Sequence, residues 1–122
     1  MINRIPQKSL FLLYMILIIS VSLMPSSVIK IGYLWKYDKI IHFIEYLILG
    51  FLLLNCFSPN NYVVKILVLV FICLTIFSGI DEFIIQKFFT NTRIPDINDW
   101  LMDISGSFFG VVIRYLIGYK VK

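Results

Sequence analysis

The sequence predicts an all-α, polytopic membrane protein in which four transmembrane helices form one compact bundle. Of the 122 residues, 60% are hydrophobic and only 15% are charged, and the mean hydropathy is +0.91. A soluble domain usually carries about a quarter charged residues, and a disordered chain needs low hydrophobicity, so both classes are excluded. A span needs roughly 20 apolar residues, so this length suits a single domain with four spans.

The first predicted span covers about residues 9–24. Arg4 and Lys8 precede an uncharged run, a pattern that also suits a secretory signal peptide. The apolar stretch is long for a signal peptide and has no A-x-A cleavage site. We therefore favour an uncleaved helix that ends before Pro25, because proline cannot continue the hydrogen-bond ladder of a helix.

Three further spans are predicted at about residues 38–57, 62–88 and 99–118. Trp35 and Tyr37 suit the headgroup level before the second span, because aromatic side chains are enriched at membrane interfaces. The Ser-Pro-Asn-Asn run at residues 58–61 is typical of a tight turn. Residues 90–98 contain Arg93 and Pro95 and are predicted to form a loop.

The basic residues give a predicted orientation. With four spans both termini lie on one side of the membrane, and six basic residues flank that side against five on the other. The positive-inside rule therefore favours cytoplasmic amino and carboxyl termini. The same residues are scattered singly and form no basic stripe, so we predict no nucleic-acid partner.

Ionisable residues converge on one membrane face in this topology. All seven acidic residues and the only histidine lie between Asp38 and Asp103. An ionisable group at the bilayer centre costs about 2.5–3.5 kcal/mol on insertion scales, so it indicates a functional site. The start of the second span, the end of the third and the start of the fourth share one face, which predicts a single polar cluster there. Its predicted members are Asp38, His42, Glu45, Asp81, Glu82, Gln86, Arg93, Asp96, Asp99 and Asp103.

Helical spacing predicts where these side chains point. Asp38, His42 and Glu45 are four and then three residues apart, which places them on one side of the second helix. Asp81 and Glu82 are adjacent and therefore point about 100° apart on an α-helix. We expect one of these two acids to face the bundle centre and the other to meet solvent or a neighbouring helix.

The fourth helix combines acids with glycines on one face. Asp99, Asp103, Gly106 and Gly110 share that face, and the glycines form a G-x-x-x-G pattern. Glycines allow helix backbones to approach closely in lipid, so we expect this face to pack into the bundle and to carry both acids inward. A homodimer through Gly106 and Gly110 remains an open alternative.

These motifs resemble the VanZ-like family, which is named for a member linked to resistance to the glycopeptide teicoplanin. The resemblance implies one VanZ-like domain over residues 1–122 in a bacterial cell membrane. Two departures are Asp103, where the family pattern favours asparagine, and Asn91-Thr92, where a proline-glycine turn is more usual. The motifs that carry the resemblance are Ser22–Pro25, Asp38–Tyr46, Asp81–Gln86, Arg93, Asp96, Asp99, Asp103, Gly106 and Gly110.

The polar cluster suits a site for a charged headgroup. Arg93 and Lys39 offer cations for phosphate or carboxylate, and Glu45, Glu82 or His42 can act as a general base. The carboxylates also suit a divalent cation, but the H-x-x-E spacing is too common to assign a metal ligand. We therefore predict no cofactor or metal. Because no nucleophile is defined, we leave open whether the protein is an enzyme.

A purely structural interpretation stands beside the functional one. Buried polar groups can satisfy one another and fix helix register without any ligand. The pairings expected in that case are Arg93 with Asp96 or Asp99, and His42 with Asp38 or Glu45.

Three function classes follow. The resemblance implies an envelope protein that lowers susceptibility to a lipoglycopeptide such as teicoplanin. The residues alone also suit an intramembrane enzyme acting on a lipid or envelope precursor, and a structural or partner-binding helix bundle. The expected partners are membrane lipid and either a lipoglycopeptide or a lipid-linked envelope precursor. A transporter is disfavoured, because a chain of this length forms no full transport pathway without oligomerising.

Overall fold

The fold is a bundle of helices, seen in a computed structural model that describes residues 6–23, 37–57, 63–89 and 96–118. These residues form helices and no strand, which confirms the all-α fold class. The helices are α1 (Gln7–Ser22), α2 (Asp38–Asn55), α3 (Val63–Ile80), a π-helical turn (Asp81–Ile85), α4 (Gln86–Phe89) and α5 (Ile97–Gly118).

Two helical stretches are long and apolar enough to cross a membrane. They are Val63–Phe89, in which α3, the π turn and α4 are continuous, and Ile97–Ile117 within α5. The apolar helix α1 is shorter, and α2 carries Asp38, Lys39 and Glu45 in its first turns. Two candidate spans by length and composition are therefore present among the described residues.

The last helix begins earlier than the sequence predicted. Residues 97 and 98 form the first turn of α5 rather than the end of a loop. Asp96 explains the difference, because its Oδ1 accepts a hydrogen bond from the Asn98 N–H at 2.8 Å. A side-chain acceptor at this position satisfies one of the unpaired N–H groups at a helix start.

Many large apolar side chains lie exposed on the outside of the bundle, and several acids are buried inside it. Val64 and Leu116 are each 73% exposed, whereas Glu82 and Asp103 are 0% exposed. Soluble proteins rarely bury acids fully and rarely expose large contiguous apolar patches. Apolar side chains facing outward and acids facing inward are the arrangement that lipid favours. We therefore treat the chain as a membrane protein.

The hydrophobic core lies among α1, α2, α3 and α5. On α2 it occupies the later turns, after the polar residues of the first turns. On α3 the order is reversed, with the core before the acids. The polar groups therefore collect at one end of the bundle. The buried core residues are Ile18, Tyr46, Leu49, Leu54, Val63, Val70, Leu74 and Val111.

The closest helix contact joins α2 and α5 through glycine. A Cβ atom on Gly106 would lie 2.2 Å from the Phe43 carbonyl oxygen, and one on Gly110 would lie 2.0 Å from the Leu47 carbonyl oxygen. Both atoms belong to the α2 backbone, so the G-x-x-x-G face packs within the chain. A homodimer through the same face would require α2 to separate from α5.

The π turn at Asp81–Ile85 interrupts the third helix at its acidic end. Both adjacent acids are buried, and each points to a different helix, as the spacing predicts. Tyr46 of α2 donates its hydroxyl to Asp81 Oδ2 at 3.1 Å. The Asp96 N–H at the start of α5 donates to Glu82 Oε1 at 2.9 Å. π turns inside α-helices often occur at functional sites.

Candidate functional site

Three elements bring one histidine and two acids together. His42 comes from α2, Glu82 from the π turn and Asp103 from α5, and we call these three residues the inner cluster. One ligand atom from each lies within 4.8 Å of the other two. All three residues are buried, so the inner cluster is a group of polar side chains inside a largely apolar bundle.

His42 contacts two acids of α5. His42 Nδ1 and Asp103 Oδ1 are 2.8 Å apart, and His42 Nε2 lies 3.7 Å from Asp99 Oδ2. These contacts depend on the close approach of the two helices, because Gly106 lets α5 come near enough for a side chain on α2 to reach Asp103. The side chain of Asp38 lies outside the described residues, so the expected pairing of His42 with Asp38 or Glu45 stays a prediction.

Two carboxylate oxygens in the inner cluster have no hydrogen-bond partner among the described residues. They are Glu82 Oε2 and Asp103 Oδ2. The other oxygen of each carboxylate is bonded, to the Asp96 N–H and to the His42 ring respectively. A buried polar atom without a partner costs roughly 1–3 kcal/mol, more when charged, so it points to a function that requires it.

A second, more exposed group lies beside the inner cluster. Lys39 Nζ contacts Asp96 Oδ2 at 3.2 Å and Asp99 Oδ1 at 3.0 Å. The Asn98 N–H and the Lys39 ammonium hold the pKa of the Asp96 carboxyl below its ordinary value. The Lys39 side chain is 49% exposed, and ion pairs this exposed contribute little to stability. We call Lys39, Asp96 and Asp99 the entrance group.

The remaining predicted members of the cluster are more dispersed. Glu45 is half-buried, and its backbone oxygen accepts a hydrogen bond from the Tyr14 hydroxyl at 2.9 Å. Gln86 is buried one turn beyond Glu82. Arg93 and the side chain of Asp38 lie outside the described residues, so their predicted places remain expectations.

Two residues beside the site were not predicted. Tyr46 is fully buried and donates to Asp81. Its position four residues after His42 places it on the same helix face, which is the pattern that predicts its burial. Trp100 donates its indole N–H to the Thr75 carbonyl oxygen at 3.3 Å and so joins α5 to α3. An aromatic residue at the start of a span is common and predicts no such contact.

The arrangement supports two kinds of chemistry. Two carboxylates and an imidazole can hold a cation or move a proton. An exposed lysine beside them can bind a phosphate or carboxylate group. The site is therefore suited to a ligand that presents its charged part at one end of the bundle.

Comparison with known proteins places the chain in a family. The family model described as VanZ/LLP1 matches residues 8–118, which confirms the resemblance drawn from the motifs. No curated protein and no solved structure matches the chain. The inner cluster, the entrance group and both packing glycines lie within the matched residues.

Proposed function

We propose, on the ground that this chain belongs to the VanZ/LLP1 family, that it is a four-span protein of the bacterial cell envelope that lowers susceptibility to teicoplanin-type glycopeptides. In this proposal the polar site binds its ligand, a lipoglycopeptide or a lipid-linked envelope precursor, at one membrane face. The observation that carries the proposal is the buried inner cluster, with two carboxylate oxygens lacking a described partner, beside an exposed lysine. Acids inside a membrane bundle are costly, so a functional site is the first hypothesis for them.

The four-span topology adds α1 and α2 to the two candidate spans. α1 is mostly apolar after its first turn and packs against α2 and the π turn, which supports placing it in the membrane beside the rest of the bundle. The charged residues of α2 are confined to its first half, and Lys39 among them contacts Asp96 and Asp99. The following turns are apolar and pack in the core.

The orientation makes a testable prediction. With cytoplasmic termini, the polar end of the bundle faces outward, on the side from which a lipoglycopeptide arrives. Tyr37 is exposed at that end and Lys65 at the other. In a background in which Cys56 and Cys73 are serine, Tyr37→Cys should react with a membrane-impermeant maleimide in intact cells. Lys65→Cys should react only after the membrane is opened, and the reverse labelling would contradict the orientation.

The entrance group suggests how the ligand is held. Lys39 can exchange its weak pairs with Asp96 and Asp99 for a phosphate or carboxylate of the ligand, because exposed ion pairs are easily replaced. The apolar part of the ligand then lies along the apolar outer faces of the helices. A lipid-linked envelope precursor and the lipid tail of a glycopeptide both fit this description. Binding either one changes how the antibiotic reaches its target.

Antibiotic susceptibility tests the proposal. We expect wild-type protein to protect cells against teicoplanin but not vancomycin, and Lys39→Gln and Glu82→Gln to abolish protection while membrane levels stay unchanged. Lys39→Gln loses one pair with the exposed Asp96 carboxylate and one with the Asp99 carboxylate, whose side chain is only 10% exposed, so lost protection reports lost ligand contact only where the membrane level is unchanged. Lys65→Gln is the matched control, because Lys65 is also exposed but lies at the opposite end.

The results separate the remaining function classes. No protection by wild-type protein contradicts the antibiotic role. Loss of Glu82→Gln and Lys39→Gln from the membrane favours the structural bundle. Equal protection by all variants shows that the polar site is not involved.

A second candidate is an intramembrane enzyme that acts on a lipid or envelope precursor. The hydrogen bond between His42 and Asp103 favours it, because a carboxylate that orients an imidazole is a common arrangement for a general base. Purified protein incubated with membrane lipid extract should then form a product, detected by mass spectrometry, that Glu82→Gln does not form. Identical lipid profiles with and without wild-type protein would contradict this candidate.

A further inference from the structure

We infer that the inner cluster binds one divalent metal ion of the zinc or manganese type, through His42, Glu82 and Asp103. Their ligand atoms converge within 4.8 Å, although no metal ligand was predicted from the sequence. The inference deepens the proposed function, since it names an ion for the same polar site and rests on that site binding a ligand.

The two carboxylate oxygens without a described partner are the first support for the ion. Glu82 Oε2 and Asp103 Oδ2 are buried, and no described residue donates a hydrogen bond to them. Both side chains are fully buried, and a buried polar atom without a partner is costly. A cation held by the inner cluster gives these buried carboxylates a charged partner.

The charges around the cluster are the second support. Two ionised carboxylates in an apolar interior repel each other and are costly to bury unless paired. A divalent ion with a neutral imidazole and two carboxylates gives a site of zero net charge. Lys39, the nearest lysine described, is already paired with Asp96 and Asp99 outside the inner cluster.

The surroundings of His42 suit a metal ligand. Asp103 approaches its Nδ1 and Asp99 approaches its Nε2. With Nδ1, the nitrogen on the Asp103 side, bound to the ion, the Asp99 carboxylate lies 3.7 Å from the other ring nitrogen. Histidines that bind metals commonly donate their second ring N–H to a carboxylate, which fixes the tautomer and the ring orientation.

The donor types select the class of ion. One nitrogen and two carboxylate ligands suit zinc or manganese, whereas calcium prefers six to eight oxygen ligands. Three protein ligands leave a coordination position open, as at catalytic zinc sites. A phosphate or carboxylate of the ligand held by the entrance group can occupy that position.

Metal uptake by the whole chain is the test. The protein is purified in detergent micelles without a histidine tag, treated with EDTA and titrated with zinc chloride. Because His42 is the only histidine, ¹⁵N-histidine labelling gives resonances from one imidazole. We expect one equivalent of zinc to bind and the resonance of one ring nitrogen to shift. Manganese, magnesium and calcium chlorides are titrated separately into metal-free protein, and manganese should bind more weakly than zinc but more tightly than magnesium or calcium.

Isosteric variants locate the site. Removing a group that only orients a metal ligand typically lowers metal affinity about 10–100-fold. Glu82→Gln and Asp103→Asn remove a ligand itself, so each should weaken zinc binding by at least about tenfold. Asp81→Asn is the matched control, because Asp81 is buried next to Glu82 but is not part of the inner cluster. It should bind zinc like the wild type.

Two results would overturn the inference. One is wild-type protein that takes up no zinc or manganese, or takes up zinc without a shift at His42. The other is unchanged zinc affinity in both Glu82→Gln and Asp103→Asn. The wild-type readout needs no variant to fold. Zinc uptake without protection against teicoplanin would refute only the proposed function, and protection without metal uptake would refute only the metal site.

Discussion

Gly106→Ala is expected to lower the free energy of unfolding by about 1–3 kcal/mol or more, the range for inserting a methyl group into a closely packed interior. The new Cβ would lie 2.2 Å from the Phe43 carbonyl oxygen. This oxygen is a backbone atom, so the contact is relieved only if α2 and α5 move apart. Alanine is about 1 kcal/mol more favourable than glycine inside a helix, so the clash lowers stability in spite of this intrinsic gain. Thermal unfolding in detergent micelles, followed by circular dichroism, measures it.

Gly79→Ala is the matched control for this prediction. Gly79 also lies inside a helix, but its nearest neighbour is the Trp100 side chain at 3.3 Å from the added Cβ. A side chain can shift by a few tenths of an ångström, so we expect stability close to that of the wild type. Equal stability of Gly106→Ala and Gly79→Ala would show that α2 and α5 do not meet at the glycine face.

Asp103→Leu is expected to destabilise the protein by about 3–5 kcal/mol, the cost of removing one partner of a buried ionic pair. His42 Nδ1 would lose the carboxylate that lies 2.8 Å away, and an apolar side chain offers no replacement. The comparison is made on metal-free protein, so that loss of an ion does not contribute. Unfolding in micelles under the same conditions gives the difference.

Asp103→Asn is the control for that substitution. The amide oxygen can still accept the hydrogen bond from His42, so the loss should be much smaller. Similar losses for Asp103→Leu and Asp103→Asn would mean that the negative charge, rather than the hydrogen bond, holds His42.

The convergence of the polar residues follows from topology and spacing. Once the apolar stretches are assigned to helices, the ends that carry His42, Glu82 and Asp103 must share one face. The spacing of Asp103, Gly106 and Gly110 likewise predicts one inward face, and in the structure all three are buried. Both inferences depend only on helix geometry and chain direction.

The individual contacts did not follow from the sequence. His42 contacts Asp103 across two helices, a contact that spacing along α2 alone does not predict. Helical periodicity gives the direction of a side chain but not the distance between two helices. That distance is short because Gly106 lets the two backbones approach closely, and the residues around His42 do not predict it.

The π turn is a second feature that the sequence does not reveal. Residues 81–85 contain two acids but no glycine or proline, so the sequence predicts an ordinary helix there. The change in hydrogen bonding accompanies the burial of both Asp81 and Glu82 against other helices. Tertiary contacts of this kind depend on the partners, Tyr46 and Asp96, which lie far away in the sequence.

One experiment separates a ligand site from a structural network at the inner cluster. It compares Glu82→Gln with wild type in the metal-free state by thermal unfolding, alongside teicoplanin susceptibility and membrane level. Glutamine keeps the acceptor for the Asp96 N–H and removes the charge at the oxygen that has no described partner. We expect an unfolding temperature no lower than that of wild type, with protection lost. A markedly lower unfolding temperature, with protein missing from the membrane, would show that Glu82 serves the fold rather than a ligand.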